Sequence, residues 1–242
     1  MRYAIISDIH SNLHALTAVL RRIDSISIDR TICLGDIVGY NARPNECVEL
    51  IRQRRIISTT GNHETRACAL KTARNFNPAA RASIEWTRRT LTKDNLTFLS
   101  SLPLTLDIDE DTIAFHARLD DEDSYIRSET AARLLLEEIP DSISVAFFGH
   151  THKARAYSNQ RGLVFEDTQG KVVIAEGERL LVNPGSVGQP RDHDTRAALL
   201  IYDKENRELL FERVEYPVEK SSKEVITAGL ATSLAERLLA GR

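Results

Sequence analysis

The chain has 242 residues, 42% of them apolar and 28% charged, with a formal net charge of −3. That mix excludes a disordered or fibrous polymer and allows a sizeable core without disulfide or metal staples. The slight acidity argues against a globally basic nucleic-acid binder, and no apolar run approaches the ~18 residues of a membrane span.

In chain order, Tyr3 to Ile6 reads as a short strand ending at Ser7-Asp8. A helix follows, because Leu13, Leu16, Leu20 and Ile23 share one face. Thr31 to Leu34 is a second strand ending at Gly35-Asp36, and Pro44 suits the first turn of the next helix. Ile56 to Ser58 is a third strand, running out near Gly61-Asn62. Asn77-Pro78 opens a helix that contains Ala82, Glu85 and Trp86. Leu104 to Ile108 and Thr112 to Phe115 form a hairpin around Asp109-Glu110-Asp111. Ser128 caps a helix to about Ile139, stopped by Pro140. Val145 to Phe148 is a buried strand ending at Gly149-His150. Short strands follow at Gly162 to Phe165, Lys171 to Ile174 and Arg179 to Val182. Ala197 to Tyr202 and Leu209 to Val214 make a late hairpin. The tail offers a capping box, Ser221-Ser222-Lys223-Glu224, before a helix to about residue 240. Its stripe of Ile226, Leu230, Leu234 and Leu238 is expected to pack on the protein's own sheet, with a dimer contact as the second reading. With no repeat, low-complexity tract or Pro/Gly/Ser-rich linker, residues 1–242 read as one domain.

Polar residues collect where strands end: Asp8 and His10, Asp36, Asn62 and His63, His116, His150 and His152. In α/β sheets, ligands gather outside the carboxyl ends of strands. In an extended chain, residues two apart face the same side, so Asp8 and His10 can reach one ion together, as can His150 and His152. Asp8, His10, Asp36, Asn62, His116, His150 and His152 make seven oxygen and nitrogen donors, with no cysteine among them. Mixed carboxylate, amide and imidazole donors suit Mn²⁺, Fe²⁺/³⁺, Zn²⁺ or Co²⁺. Seven exceed the need of one ion that keeps a water, and fit two ions sharing a bridging carboxylate. Two divalent ions against two carboxylates leave an excess positive charge, which attracts an anion such as a phosphate ester. A water bridging two ions has its pKa lowered toward neutrality and supplies the nucleophile without serine or cysteine.

The motifs Asp8-Ile-His10, Gly35-Asp36-Ile-Val-Gly39, Gly61-Asn62-His63-Glu64, Phe115-His116-Ala117 and Gly149-His150-Thr-His152 stand in one order along residues 8 to 152. They resemble the calcineurin-like metallophosphoesterase superfamily. Asn183-Pro184-Gly185-Ser186-Val187-Gly188-Gln189-Pro190-Arg191 looks like a loop of its small bacterial and archaeal phosphodiesterase branch. The resemblance implies a four-layer αββα sandwich, two mixed β-sheets face to face and flanked by helices. It implies one ion on Asp8, His10, Asp36 and His152, and another on Asp36, Asn62, His116 and His150. It implies that His63 faces the phosphate, as general acid to the leaving oxygen or to stabilise its charge, and that Asn62 serves both metal and phosphate.

Two departures stand out. The protein-phosphatase branch reads GDxVDRG, with an acid that orients the catalytic histidine and an arginine that clamps a dianionic phosphate. Gly39 and Tyr40 occupy those places here. His63 is then oriented by Glu64, by a backbone carbonyl or by nothing, and Arg43, Arg66, Arg118 or Arg191 is left to hold the phosphate. The other departure is Ala117, where many relatives have glycine after the metal histidine.

Plainer roles compete. Asp36 can cap a helix or turn, His63 can cap the next helix, and residues 183–189 can be a tight turn. His14 and His193 read as solvated histidines and Cys33 as core. From Arg43 to Lys93, 11 basic residues stand against 4 acidic ones; from Asp107 to Asp141, 12 acidic stand against 3 basic. These are either two solvated faces of opposite sign or a basic stretch that steers an anion to the site. Asp120-Asp121-Glu122-Asp123 would repel a long nucleic acid near an entrance. Three cysteines without CxxC spacing and an N-terminus that turns polar early point to the cytoplasm.

The expectation is a phosphodiesterase that uses a hydroxide bridging two divalent ions (Mn, Fe or Zn) on a small phosphate-ester substrate. Phosphomonoester or dinucleoside polyphosphate hydrolysis, and a non-catalytic metal-binding scaffold, are the alternatives.

Overall fold

A computed structural model describes residues 1–74 and 76–242. The first half alternates: β1 (Arg2–Ile6), α1 (Leu13–Asp24), β2 (Arg30–Cys33), α2 (Pro44–Gln53), β3 (Ile57–Ser58), α3 (Asn62–Ala67), α4 (Pro78–Thr90) and α5 (Lys93–Ser100). The second half is strand-rich: β4 (Thr105–Asp109), β5 (Thr112–Phe115), α6 (Glu129–Glu138), β6 (Val145–Phe147), β7 (Ala154–Ser158), β8 (Gly162–Phe165), β9 (Gly170–Val173), β10 (Leu180–Pro184), β11 (Ala197–Asp203) and β12 (Glu208–Val214). Two helices close the chain, α7 (Val218–Thr227) and α8 (Thr232–Ala240).

The strands form two six-stranded sheets, ordered β3-β2-β1-β11-β12-β9 and β4-β5-β6-β10-β7-β8. Both are mixed. β1, β2 and β3 run parallel, as do β5, β6 and β10, while the remaining pairs are antiparallel. Tyr3, Ile5, Ile32, Leu34, Leu200 and Phe211 of one sheet meet Ala114, Phe147, Leu180 and Val182 of the other in one buried cluster. On the outer face of the first sheet, α1, α2 and α5 bury Leu16, Val19, Val48, Ile51 and Leu99. On the outer face of the second, α6 buries Ala132, Leu135 and Leu136 against Ile113 and Leu181. The architecture is therefore a four-layer αββα sandwich. Its parallel strands, β3-β2-β1 from one edge of the first sheet to its middle and β5-β6-β10 within the second, bring their carboxyl ends to the same side, where the polar residues lie.

Two elements were invisible to periodicity. The sequence of β7, Ala-Arg-Ala-Tyr-Ser, has little bulk to mark it, yet it pairs along its whole length with β10. The helix α5 is announced only by Thr92, whose side chain accepts from Asn95 N.

The tail differs from its reading. Ser221 and Ser222 lie inside α7, which starts after Pro217, so the four residues 221–224 form no capping box. The single helix expected at about 221–240 is broken at Gly229, which takes φ +73. Ile226 is half exposed, whereas Leu230, Leu234 and Leu238 pack with Tyr40, Ala80 and Val225. The apolar stripe thus covers a loop at the site and α4, not a sheet. Replacing Leu234 by Ala should lower unfolding stability by about 2–5 kcal/mol in urea titration. An unchanged midpoint would show that α8 is not docked there.

Candidate metal centre

The donor residues sit on strained backbone. Asp8, His10, Asp36, His150 and His152 all have positive φ, between 48° and 64°. Left-handed backbone at a non-glycine residue costs on the order of 1–3 kcal/mol and persists only when its surroundings impose it. The extended-chain argument for Asp8 and His10 therefore fails, as it does for His150 and His152. The side chains converge because the chain coils tightly just beyond each strand. Interlocking hydrogen bonds impose those coils. Asp8 N donates to Gly35 O (3.1 Å), His10 N to Asp36 O (2.8 Å) and Ser11 N to Ile37 O (2.8 Å). His150 N donates to Asp8 Oδ2 at 3.2 Å.

Each imidazole is fixed by a backbone carbonyl. His10 Nδ1 faces Val38 O at 3.2 Å, His116 Nδ1 faces Leu34 O at 2.7 Å, and His152 Nδ1 faces Gln189 O at 2.6 Å. His150 Nε2 faces Asp123 O at 2.9 Å. A carbonyl only accepts, so the facing nitrogen carries hydrogen and the other keeps a free lone pair. Those free nitrogens confront each other: His10 Nε2 and His152 Nε2 at 3.1 Å, His116 Nε2 and His150 Nδ1 at 3.2 Å. Between them lie the carboxylates. Asp8 Oδ1 is 3.3 Å from His152 Nε2, and Asp36 Oδ2 is 3.5 Å from His10 Nε2 and 3.4 Å from His116 Nε2. Asp8 Oδ1 has no hydrogen-bond partner among the described residues. Lone pairs aimed at one another in a buried volume are what a bound cation resolves. The donors divide into Asp8, His10, Asp36 and His152 on one side and Asp36, His116 and His150 on the other, with Asp36 in both.

Asn62 joins the second group. Its amide oxygen lies 3.1 Å from Asp36 Oδ2 and 3.3 Å from His150 Nδ1. An oxygen facing only acceptors needs either a reversed amide or a cation; a cation would also answer the opposed imidazole lone pairs, and the oxygen would then be its donor. His63 lies beside this group, not within it. Its ring centroid is 4.6 Å from that of His10, 4.5 Å from Tyr40 and 5.1 Å from Phe76. Its backbone N–H donates to Asp36 Oδ1 at 2.9 Å. Its Nδ1 is buried and without partner among the described residues. Glu64 does not orient the ring. Its carboxylate accepts from the N–H groups of Asp36 (2.8 Å), Val38 (3.0 Å) and Gly61 (2.8 Å), clamping the Asp36 loop to the start of α3. Gly39 is where the ring rests, since a Cβ there would stand 2.0 Å from His63 Nδ1.

Burial dominates the electrostatics. It pushes Asp8 up to about 7 and, with the Asp36 charge, Glu64 up to about 7. It pulls His63 down to about 4 and His150 down to about 3, so both rings are neutral near pH 7. Burial also disfavours a charged His116, but the adjacent Asp36 carboxylate raises that ring to about 10; the proton so held sits on Nε2, on the same lone pair that a bound cation would take in its place. The protein's own groups leave Asp8 without a matching positive charge.

Residues 183–191 support this centre from below. Val187 N donates to Ser7 O and Gly188 N to Asp8 O, both at 2.9 Å, and Ser186 Oγ donates to Asp8 O at 2.8 Å. Gly188 packs so closely that a Cβ would lie 1.8 Å from Ile9 O. The segment is thus a buried brace, and through Gln189 O it also sets the His152 ring. At its end Arg191 enters a cavity of about 360 Å³, walled by Asp36, Asn62, His63, His150, Tyr40 and Phe76 among others.

Of the four arginines considered for the phosphate, only Arg191 lines this cavity. Arg43 is paired with Glu224 and Glu46, Arg66 with Glu122 and Asp123, and Arg118 with Glu138. The basic and acidic stretches touch, because Arg66 and Lys71 both pair with Glu122. Glu122 is buried, so the 120–123 run is in part an internal counter-charge. His14 is 3.3 Å from Glu224, His193 is exposed, and Cys33 is core. Sequence reasoning missed Tyr125, which stacks on His150 at 3.9 Å; no pattern marks it. It also missed the clamp made by Glu64, whose partners Asp36 and Val38 lie 28 and 26 residues away along the chain.

Residues 1–206 match the calcineurin-like phosphoesterase superfamily domain. The chain belongs to that superfamily. It is 38% identical, over 242 residues, to the uncharacterized protein MJ0912 of Methanocaldococcus jannaschii, with 99% of this chain and 98% of that protein covered. Its fold is similar to that of a metallophosphoesterase from Sphaerobacter thermophilus, with a TM-score of 0.88, 36% identity, and 100% of this chain and 99% of that one covered. A hypothetical protein, PH1004 of Pyrococcus horikoshii OT3, shares the fold at a TM-score of 0.82 and 17% identity, covering 100% and 98%. Metal binding and phosphoric ester hydrolysis belong to this family reading, and the clustered donors fit it.

Removing the Glu64 clamp strands three backbone donors. Glu64→Ala should cost at least about 3 kcal/mol in chemical unfolding and lower metal content by elemental analysis. Full metal content in a stable Glu64→Ala protein would show that the Asp36 loop holds itself.

Proposed function

We propose that this protein is a dinuclear metal-dependent phosphodiesterase acting on small phosphate esters. The observation that carries this is the pair of donor groups that share Asp36, with imidazole lone pairs opposed in each. Asp8, His10, Asp36 and His152 would hold one divalent ion, and Asp36, Asn62, His116 and His150 the other; manganese, iron or zinc suits such donors. When bound, the ions supply hydroxide at neutral pH and positive charge for the phosphoryl oxygens. The chain's own groups do the rest. Arg191 holds a non-bridging oxygen by a charge-assisted hydrogen bond. His63, kept neutral by burial, donates a hydrogen bond toward the leaving oxygen; an arriving anion raises its pKa, so that the ring takes up a proton from solvent and passes it to that oxygen as the bond to phosphorus breaks. Gly39 leaves that ring without a carboxylate behind it, unlike the phosphoprotein branch. Tyr40, Phe76 and Tyr125 wall the cavity with aromatic surface on which a second ester substituent can lie. Both features favour diesters over monoesters.

The shared core between the sheets supports reading residues 1–242 as one domain. Free Cys33, Cys47 and Cys68 favour the cytoplasm. No helix among the described residues is long and apolar enough to cross a membrane.

Elemental analysis with a panel of diester, monoester and nucleotide polyphosphate substrates tests the reading. Chelation should abolish hydrolysis, and manganese, iron or zinc should restore it. Asp36→Asn should lose both ions. His63→Ala should keep its metal while kcat falls by about 10²–10⁴-fold. Gly39→Ala should shift the His63 ring and reproduce that loss in milder form, with metal content intact. Full activity after complete metal removal would refute the proposal, and a monoester preference would overturn the diester assignment. A metal-loaded protein inert on the whole panel would favour the scaffold alternative.

A further inference from the structure

Beside the metal cavity lies a smaller one, of about 280 Å³, lined by Tyr125, Arg127, Thr151, Lys153, Arg155 and Arg191. Tyr125 and Arg191 belong to both cavities, so the two adjoin. Four of its six lining residues are cationic. Arg155 is neutralised by Glu166. Arg127, Lys153 and Arg191 have no carboxylate partner among the described residues. The nearby Asp192 is taken by Arg213. Three cations without a carboxylate partner therefore converge on one recess.

The recess is also built. Arg127 lies over the Tyr125 ring, 3.9 Å from its centroid, and the opposite stacking partner of Tyr125 is His150. That stack, guanidinium, phenol and imidazole, ties the recess to a candidate metal-binding residue. Arg191 Nε is buried and unpartnered, while its Nη2 lies 3.5 Å from the Tyr40 hydroxyl. Arg155 Nη1 donates to Arg127 O at 3.1 Å, which holds the recess wall in place. Thr151 is occupied by Asn183 Nδ2 and adds no negative charge.

We propose that this recess is a second anion subsite, and that the substrate is a phosphodiester carrying a further phosphate beside the scissile one. The inference rests on the phosphodiesterase reading for the position of the first phosphate. Arg127 and Lys153 take the second phosphate. Arg191 stands between the two groups and screens their mutual repulsion. A substrate with one charge leaves the recess empty of its counter-ion and gains nothing there.

Two comparisons test this on the metal-loaded protein. The first uses thymidine 5′-(p-nitrophenyl phosphate) with and without a 3′-phosphate, which share one leaving group. The bisphosphorylated substrate should show a KM at least about tenfold lower, and the Arg127→Ala/Lys153→Ala variant should bring the ratio of the two KM values close to one. An equal KM in the unmodified protein, or a ratio the variant does not change, would overturn the subsite. The second is calorimetric binding of adenosine 5′-monophosphate and adenosine 3′,5′-bisphosphate, which needs no turnover. The bisphosphate should bind at least about tenfold tighter, and the variant should erase that gap. If no diester is hydrolysed but the gap persists, the phosphodiesterase reading fails and the subsite stands. If diesters are hydrolysed without any gap, the subsite alone fails.

Discussion

Four imidazoles, two carboxylates and one amide oxygen occupy a single buried volume with their lone pairs turned toward one another. Such an arrangement is unfavourable for the protein alone. Burial lifts Asp8 to about 7 because the surrounding groups offer it too little positive charge. Other parts of the fold serve to keep that concentration of donors from relaxing. Carbonyls lock four ring tautomers. Glu64 ties the Asp36 loop to α3 by three backbone hydrogen bonds. The 183–191 brace grips Asp8 from beneath. Five donor residues held in left-handed backbone are the local cost, sustained by two six-stranded sheets packed on a common core.

The donor types and their order were legible in the sequence because cation chemistry restricts which side chains can serve, and because strands deliver them at their ends. The sandwich was legible through the resemblance those motifs carry; strand periodicity agreed with it but did not require it. The local geometry was not legible. Residues two apart suggested an extended pair, yet Asp8 and His10 meet through tight coils whose hydrogen bonds come from distant segments. Glu64 read as a candidate support for His63 because it follows it directly. Its side chain instead turns toward the backbone of residues 36–38 and 61, a choice set by where unpaired N–H groups lie. In the tail, a spacing of four looked like one helix on a sheet. Gly229 breaks it, and the apolar stripe meets Tyr40 and α4.

Gly39 and Tyr40 show how one short loop alters the surroundings of a histidine. With no side chain at 39, His63 drops onto the backbone and is kept neutral by burial. With tyrosine at 40, no cation comes from that loop. Arg191 arrives from the far side of the cavity, and its guanidinium reaches the Tyr40 hydroxyl. The cavity's positive charge therefore comes from the brace that supports Asp8 and not from the strand-end loop. Its position is coupled to the backbone of that donor, which an arginine at position 40 would not be.

The match to the superfamily domain ends at residue 206, but the candidate site does not. Tyr40 lies 4.5 Å from both the His10 and His63 rings, and its other side packs with Val225, Leu234 and Leu238 from α7 and α8. Glu224 on α7 holds Arg43 beside the start of α2, and Ser221 donates to Asn12, which also donates to Gly188 O on the brace. The two closing helices thus reach the site by three routes: the aromatic wall, the loop before α2 and the brace. They contribute no donor group. What they supply is rigidity at Tyr40, the residue against which the ring of His63 must be held if it is to meet a leaving oxygen in a fixed direction.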